Sequence, residues 1–332
     1  WKSKVKLFAQ FSFKFLSVRA LLQLQTNFGV SSYYLFNFFS LKSRRMDLES
    51  KVESFKKDGY VVLESFLQEE ECDQLRSRSK ELIEEMDLST HPKTVFSTTN
   101  QKNNITGHDE YFMKSQDKIR FFFEEFAFTE GVLNRPKHLS INKIGHGLCF
   151  KDEGYKKATF TDTIKEFVKR LDFKEPAIVQ SMVIFKQPGI GGVVTPHEDG
   201  TFLMNEPSKL IGLWIALEDA EIENGCLWFI PGTHKDRTSL RMIRNPDKDG
   251  PPTVFRGDRD TYDDSLFKAV PVKKGSAIII HGHVVHKSEK NLSNRSREIY
   301  TYHIAETHQS KWLNENWLQE TEDYSFMKLY EN

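Results

Sequence analysis

The sequence predicts a mainly β protein, an antiparallel barrel or sandwich with helices flanking it. Three observations carry the prediction. Short apolar segments with alternation follow one another from residue 177 onward, at 177–186, 211–217, 225–231, 269–272, 276–281 and 298–304. Turn residues punctuate them, among them Pro188-Gly189, Asn224-Gly225, Pro231-Gly232 and Lys274-Gly275, as expected of short strands joined by tight connections. Helical periodicity is confined to the residues before 175.

Taken in order, residues 1–45 carry eight Lys or Arg and no Asp or Glu, with aromatic residues between them, and the first methionine is Met46. Lys14 and Arg19 interrupt the apolar runs, so none reaches the about 20 residues a membrane span needs. We expect this segment to be a non-native leader ahead of a start at Met46; if native, it resembles a mitochondrial transit peptide. A single domain is expected over 46–332, with a helical part over 46–175 and a β core over 176–310. Leu48, Val52 and Phe55 predict a helix stopped at Gly59. "YVVLESFL" (60–67) reads as a strand or extended entry. Cys72, Leu75, Leu82 and Met86 predict a second amphipathic helix over 68–86, and "TDTIKEFVKRL" (161–171) a third. The polar stretch 89–110 and the stretch 238–265 read as long loops of the kind that shape binding sites.

Composition narrows the function classes. The chain has 332 residues and is formally neutral, with 38% hydrophobic and 28% charged residues, ordinary for a globular protein. Residues 46–332 hold 39 basic and 47 acidic residues. An acidic body lacks the clustered positive charge that nucleic-acid binding requires. Cys72, Cys149 and Cys226 are far apart and form no CxxC pair, which suits a reducing compartment. We therefore expect a cytoplasmic protein, mitochondrial if the leader is native. No nucleic acid, no stable membrane insertion and a monomeric state are expected.

The stretch "TPHEDGTFL" (195–203) suggests chemistry. On an extended backbone, residues i and i+2 project to one face, so His197 and Asp199 point together and Glu198 points away. Pro196 and Gly200 bracket the pair, as at a strand ending on a rim. "SAIIIHGHVVH" (276–286) then presents His281, His283 and His286 at another strand end. One of these three would complete a two-histidine, one-carboxylate triad, which leaves positions open on the metal and suits Fe(II); spacing alone does not choose among them. Zinc is the alternative metal. Arg295 and Arg297 follow, again i and i+2, and an arginine fork grips a carboxylate as lysine does not.

The order "PHEDGTFL", "GLWIALEDAEIENGCLWFIPGTH", "IIIHGHVVHKSEKNLSNRSRE" resembles the phytanoyl-CoA dioxygenase family, from about Met46 to about Gln319. The resemblance implies a double-stranded β-helix, that is, a jelly-roll, cupin-like core with flanking helices, and an Fe(II)- and 2-oxoglutarate-dependent dioxygenase. It implies His197, Asp199 and His286 as iron ligands, with His281 and His283 on the strand and turn before the last of them. It implies Arg297 or Arg295 as the anchor for the far carboxylate of 2-oxoglutarate, and Lys143, Met182 and Trp214 as lining for that co-substrate. The expected reaction consumes O2 and a small-molecule substrate, hydroxylates the latter, and releases succinate and CO2. Two rival readings are a non-catalytic jelly-roll module that binds metal or ligand, and a zinc hydrolase, which would need a spare in-pocket Glu base. Arg237, Arg241 and Arg244 are a candidate patch for the phosphates of an acyl-CoA, whereas the primary substrate is not legible. Cys226, Trp228, Pro231 and Gly232 read as core and turn.

Overall fold

The computed structural model describes residues 47–96, 110–236 and 239–332. The chain divides into a unit of residues 1–50 and a unit of residues 51–332; the architecture below is that of the second. The expected leader, most of the 89–110 loop and Arg237 lie outside the described residues.

The principal strands are β1 (Tyr60–Leu63), β2 (Ile119–Phe123), β3 (Ile141–His146), β4 (Pro176–Lys186), β5 (Val194–His197), β6 (Leu210–Ala216), β7 (Leu227–Phe229), β8 (Lys268–Val270), β9 (Ala277–His281), β10 (His286–Ser288) and β11 (Arg297–Glu306). The larger sheet runs β1-β9-β6-β11-β4-β3-β2 and the smaller β8-β7-β10-β5, with antiparallel pairing throughout. Both form a jelly-roll. Between them packs an apolar layer including Trp214, Leu227, Phe229, Ile278, Ile280, Val284 and Ile299. Each large side chain buried there contributes about 1.5–3 kcal/mol of transfer free energy.

Helices cover the outer face of the large sheet. α1 (Glu69–Glu85) begins with three acids, Glu69, Glu70 and Glu71, which suit the positive end of the helix dipole. The Glu71 carboxylate also accepts from the backbone N–H of Gln68, 3.0 Å away. Its buried stripe includes Cys72, Leu75, Leu82 and Ile83. α2 (Glu153–Thr159) and α3 (Asp162–Arg170) follow, capped by Asp152 and Thr161 respectively. β11 shows how the two faces divide. Glu298 accepts from Ser79 Oγ on α1 at 2.5 Å, and the Tyr302 hydroxyl donates to the Thr159 carbonyl of α2 at 3.2 Å. The alternate residues, Arg297, Thr301 and His303, line the interior cavity.

Three sequence expectations need correction. Residues 46–175 are not simply helical, because β1, β2 and β3 all join the large sheet. "IRFFF" and "INKIGH" have burial on both faces, so neither shows the alternation that marks a strand. The helix over 153–159 is a further element that the periodicity does not announce. Residues 238–265 are not an open loop: Arg241–Arg244 pairs with Thr253–Arg256 as an antiparallel ribbon. Its strands are short and charge-bracketed, so they carry little periodic signal.

Candidate metal centre and its cavity

His197 closes β5 and His286 opens β10, and these two residues are directly paired across the small sheet. The register alone sets their rings 4.2 Å apart, centroid to centroid. Beyond His197 the backbone stays extended through Glu198 and then turns into a short 3-10 helix at Asp199–Thr201. Asp199 therefore lands on the same side as His197. The turn is tied to the segment before His286 by a bond from the Gly200 N–H to the Gly282 carbonyl, 2.7 Å long. A Cβ on Gly200 would sit 2.6 Å from His283 Cε1, so the close approach requires glycine.

One Asp199 oxygen, Oδ1, lies 3.7 Å from Nε2 of each histidine. One ligand atom from each of the three residues falls within 4.8 Å of the others. The tautomers are set from behind. His197 Nδ1 donates to the Thr195 carbonyl at 2.9 Å, and His286 Nδ1 to the Val284 carbonyl at 3.0 Å. Each ring thus turns the lone pair of Nε2 toward Asp199, as metal-binding histidines require. Burial, with the neighbouring His197, lowers the His286 pKa to about 4, which keeps that ring neutral. Burial alone would raise the Asp199 pKa, but His303 and His286 hold it well below the ordinary carboxylate range.

His303 is a residue that the motif order does not point to. Its Nε2 lies 3.2 Å from Asp199 Oδ2, and its Nδ1 lies 3.1 Å from the Gln180 amide nitrogen. A carboxylate only accepts, so His303 Nε2 carries the proton and Nδ1 accepts from Gln180. This chain occupies Oδ2 and leaves Oδ1 for a metal. A Cβ on Gly212 would lie 3.0 Å from Oδ2 and 3.3 Å from the His303 ring. The available signal is parity: His303 is six residues after Arg297 on one strand, hence on the same face.

The group opens into a cavity of about 390 Å3 that also includes Lys143, Met182, Trp214 and Arg297. The structure separates the two arginines. Arg295 is exposed and pairs with Glu221, whereas Arg297 is 2% exposed. The Arg297 guanidinium carbon lies 5.5 Å from the centre of the Trp214 ring, and its Nε has no partner. Met182 and Trp214 flank Thr301 in register across β4, β11 and β6. Lys143 is buried with its ammonium 3.2 Å above the centre of the Phe96 ring. Burial lowers the Lys143 pKa to about 7, against the attraction of Glu124, and lowers that of Arg297 to about 10.

His281 and His283 stay out of the triad. His283 lies between Glu198 (2.9 Å) and Ser208 (2.7 Å), which turns the Glu198 carboxylate away from the metal ligands. The arginine patch does not stand free: Arg244 donates to the carbonyls of Asn316 (3.0 Å) and Trp317 (2.7 Å), and Arg241 faces Glu315 at 3.4 Å. Asn291 is buried, and its amide donates to the Lys186 and Arg295 carbonyls. Among the described residues, no helix is long and apolar enough to cross a membrane.

A jelly-roll with two histidines and a carboxylate facing one cavity is the frame of a mononuclear non-heme metal protein. The similarities agree with that class. The phytanoyl-CoA dioxygenase domain-containing protein 1 of Danio rerio is 50% identical over 285 residues, 85% of this chain and 98% of the relative. Its homolog in Caenorhabditis elegans is 49% identical over 285 residues, 84% of this chain and 98% of that protein. Among solved structures, the non-heme alpha ketoglutarate dependent epimerase SnoN from nogalamycin biosynthesis superposes with a TM-score of 0.56. It is 14% identical, and the match covers 86% of this chain and 99% of SnoN, a likeness of fold. Residues 55–299 match the phytanoyl-CoA dioxygenase (PhyH) family, and the chain belongs to it.

Proposed function

We propose that this chain is an Fe(II)- and 2-oxoglutarate-dependent dioxygenase that hydroxylates a small molecule. The observation that carries the proposal is the cross-strand pair His197–His286 with Asp199 Oδ1 equidistant from both, facing the same cavity as a buried, unpaired arginine edge. The two groups fit the residues present. Two neutral imidazole nitrogens and one carboxylate oxygen are a donor set for ferrous iron. Lys143, Lys186 and Arg297 are buried on the cavity, with the buried carboxyl group of Glu124 among them. The buried Arg297 guanidinium keeps its charge at neutral pH, with its pKa lowered only to about 10, and Lys143 adds a partly protonated ammonium; together they suit the carboxylates of 2-oxoglutarate. When bound, iron and 2-oxoglutarate would supply the oxidising chemistry, with O2 consumed and succinate and CO2 released.

The chain's own residues bind, orient and screen. His197, His286 and Asp199 hold the metal on one side and leave the cavity side open to co-substrate. His303 holds Asp199 to one oxygen. Arg297 grips the far carboxylate of 2-oxoglutarate through its planar fork, Lys143 adds a second positive charge, and Met182 and Trp214 form apolar walls that exclude water.

The test is release of CO2 from carboxyl-labelled 2-oxoglutarate by the wild-type protein with Fe(II) and a fractionated metabolite extract. Stimulated release in wild type, absent in Asp199→Ala, is the expected result. Equal release by both proteins overturns the proposal.

A further inference from the structure

Part of the cavity wall is built from His146, Phe112 and Trp317. All three are nearly buried, with His146 at 2% exposure. Phe112 and Trp317 stack at 4.3 Å, and the His146 ring stands edge-on to both, at 5.4 and 5.0 Å. Arg244 secures this wall through the carbonyls of Asn316 and Trp317.

The proton positions on His146 follow from its neighbours. Ser115 Oγ donates to the Phe112 carbonyl at 2.5 Å and also lies 2.7 Å from His146 Nδ1. Having given its only proton to Phe112, the hydroxyl accepts from His146, so Nδ1 carries the hydrogen. Nε2 is then a lone-pair acceptor, and no protein group among the described residues bonds it. Burial pushes the His146 pKa well below the usual imidazole range, helped by Lys143 and His303, so the ring stays neutral. Gln180, on the same cavity, reaches a like result by a different route. Its amide N–H is committed to His303, and its Oε1 is buried without a partner. His146 Nε2 is thus an unpaired acceptor among the rings of Phe112, Phe122 and Trp317, and Gln180 Oε1 is a second acceptor without a partner on the same cavity. A buried acceptor left unpaired costs stability, and a site built to accept discriminates against analogues that lack the donor.

We propose that this wall is a substrate subsite that reads a hydrogen-bond donor, a hydroxyl or an amide N–H, on an otherwise apolar, aromatic-sized molecule. His146 Nε2 is the principal acceptor. The inference rests on the dioxygenase reading, since it takes the cavity beside the metal ligands as the place where substrate is held.

The experiment uses the protein loaded with Co(II) and 2-oxoglutarate without O2, titrated with 4-ethylphenol and with 4-ethylanisole. These probes share a frame and differ by the donor hydrogen. Titration calorimetry is read alongside the visible Co(II) spectrum. In wild type the phenol binds at least about tenfold more tightly than the ether. In His146→Phe, which keeps the aromatic bulk and removes the acceptor, the ratio falls to within about twofold. His146→Gln, which keeps an acceptor, restores the preference, and 2-oxoglutarate affinity is the same in all three. Equal binding of the two probes to wild type, binding of neither, or a preference that survives in His146→Phe overturns the subsite. The wild-type comparison stands even if a variant does not fold. Failure of 2-oxoglutarate to bind the wild-type protein, read in the first titration, instead removes the dioxygenase reading.

Discussion

The metal end and the donor-reading end of the cavity are assembled by different means. At the metal end, backbone register does the work: His197 and His286 are paired residues on neighbouring strands, and Asp199 is one turn further along the same segment. Such a site depends on a sheet that must form anyway, and its spacing survives in the sequence as HxD followed by a later histidine. At the other end, His146 and Gln180 also lie on paired strands, with His146 opposite Ser181, but Phe112 comes from a short helix and Trp317 from the C-terminal segment. Phe112 and Trp317 join the wall by packing alone, stacked at 4.3 Å with the His146 ring edge-on to both. The contrast teaches that a ligand set written on paired strands is locally encoded, whereas a substrate wall is encoded by packing.

Four predictions sharpen this contrast. The largest effect belongs to Asp199→Ala, which removes a ligand outright. Its Fe(II) or Co(II) affinity should fall by more than about 100-fold, beyond what losing a supporting partner causes; metal titration with retained far-UV dichroism checks it. Loss of the supporting partner itself, in His303→Phe, frees Asp199 Oδ2 from its 3.2 Å contact. Metal affinity should drop about 10- to 100-fold, and an unchanged dissociation constant would place His303 in packing alone.

The arginines give the third comparison. Arg297→Ala should weaken 2-oxoglutarate binding by about 10- to 100-fold, the equivalent of about 1.5–3 kcal/mol for a charge-assisted hydrogen bond. Arg295→Ala, which removes a solvent-exposed pair with Glu221, should leave it within about twofold. The reverse order would reassign the anchor.

The smallest effect is on pH dependence. The lowered Lys143 pKa of about 7 means that its ammonium loses its proton as pH rises through neutrality. A dianion binds the protonated form more tightly, so 2-oxoglutarate affinity should be greatest below pH 7 and decline above it, by at most about tenfold per pH unit. In Lys143→Met that decline should flatten. A profile identical to wild type would exclude Lys143 from the co-substrate's surroundings.

Several features are legible in the amino-acid sequence alone. The strands from 177 onward and the helices ending at residue 58 and spanning 69–85 and 162–170 follow from period and turn residues. Spacing pairs His197 with Asp199 and leaves His281, His283 and His286 open as the third ligand; the choice of His286 comes from the family resemblance. Others are hidden for identifiable reasons. β2 and β3 are buried on both faces and so lack alternation. The 241–256 ribbon is short and flanked by charge. The choice between Arg295 and Arg297 is open on spacing, because both follow the last histidine by about the same distance; burial and the Glu221 partner separate them.

By itself, the sequence determined the strands after residue 177 and set His197, Asp199 and a cluster of three histidines at strand ends, because side-chain alternation and turn chemistry act over a few residues. Only the tertiary structure decided which proton sits on which nitrogen. The roles of His303, Gln180 and His146 depend on partners 31 to 123 residues away along the chain, and hydrogen-bond direction is settled by whatever atom packing brings within about 3 Å.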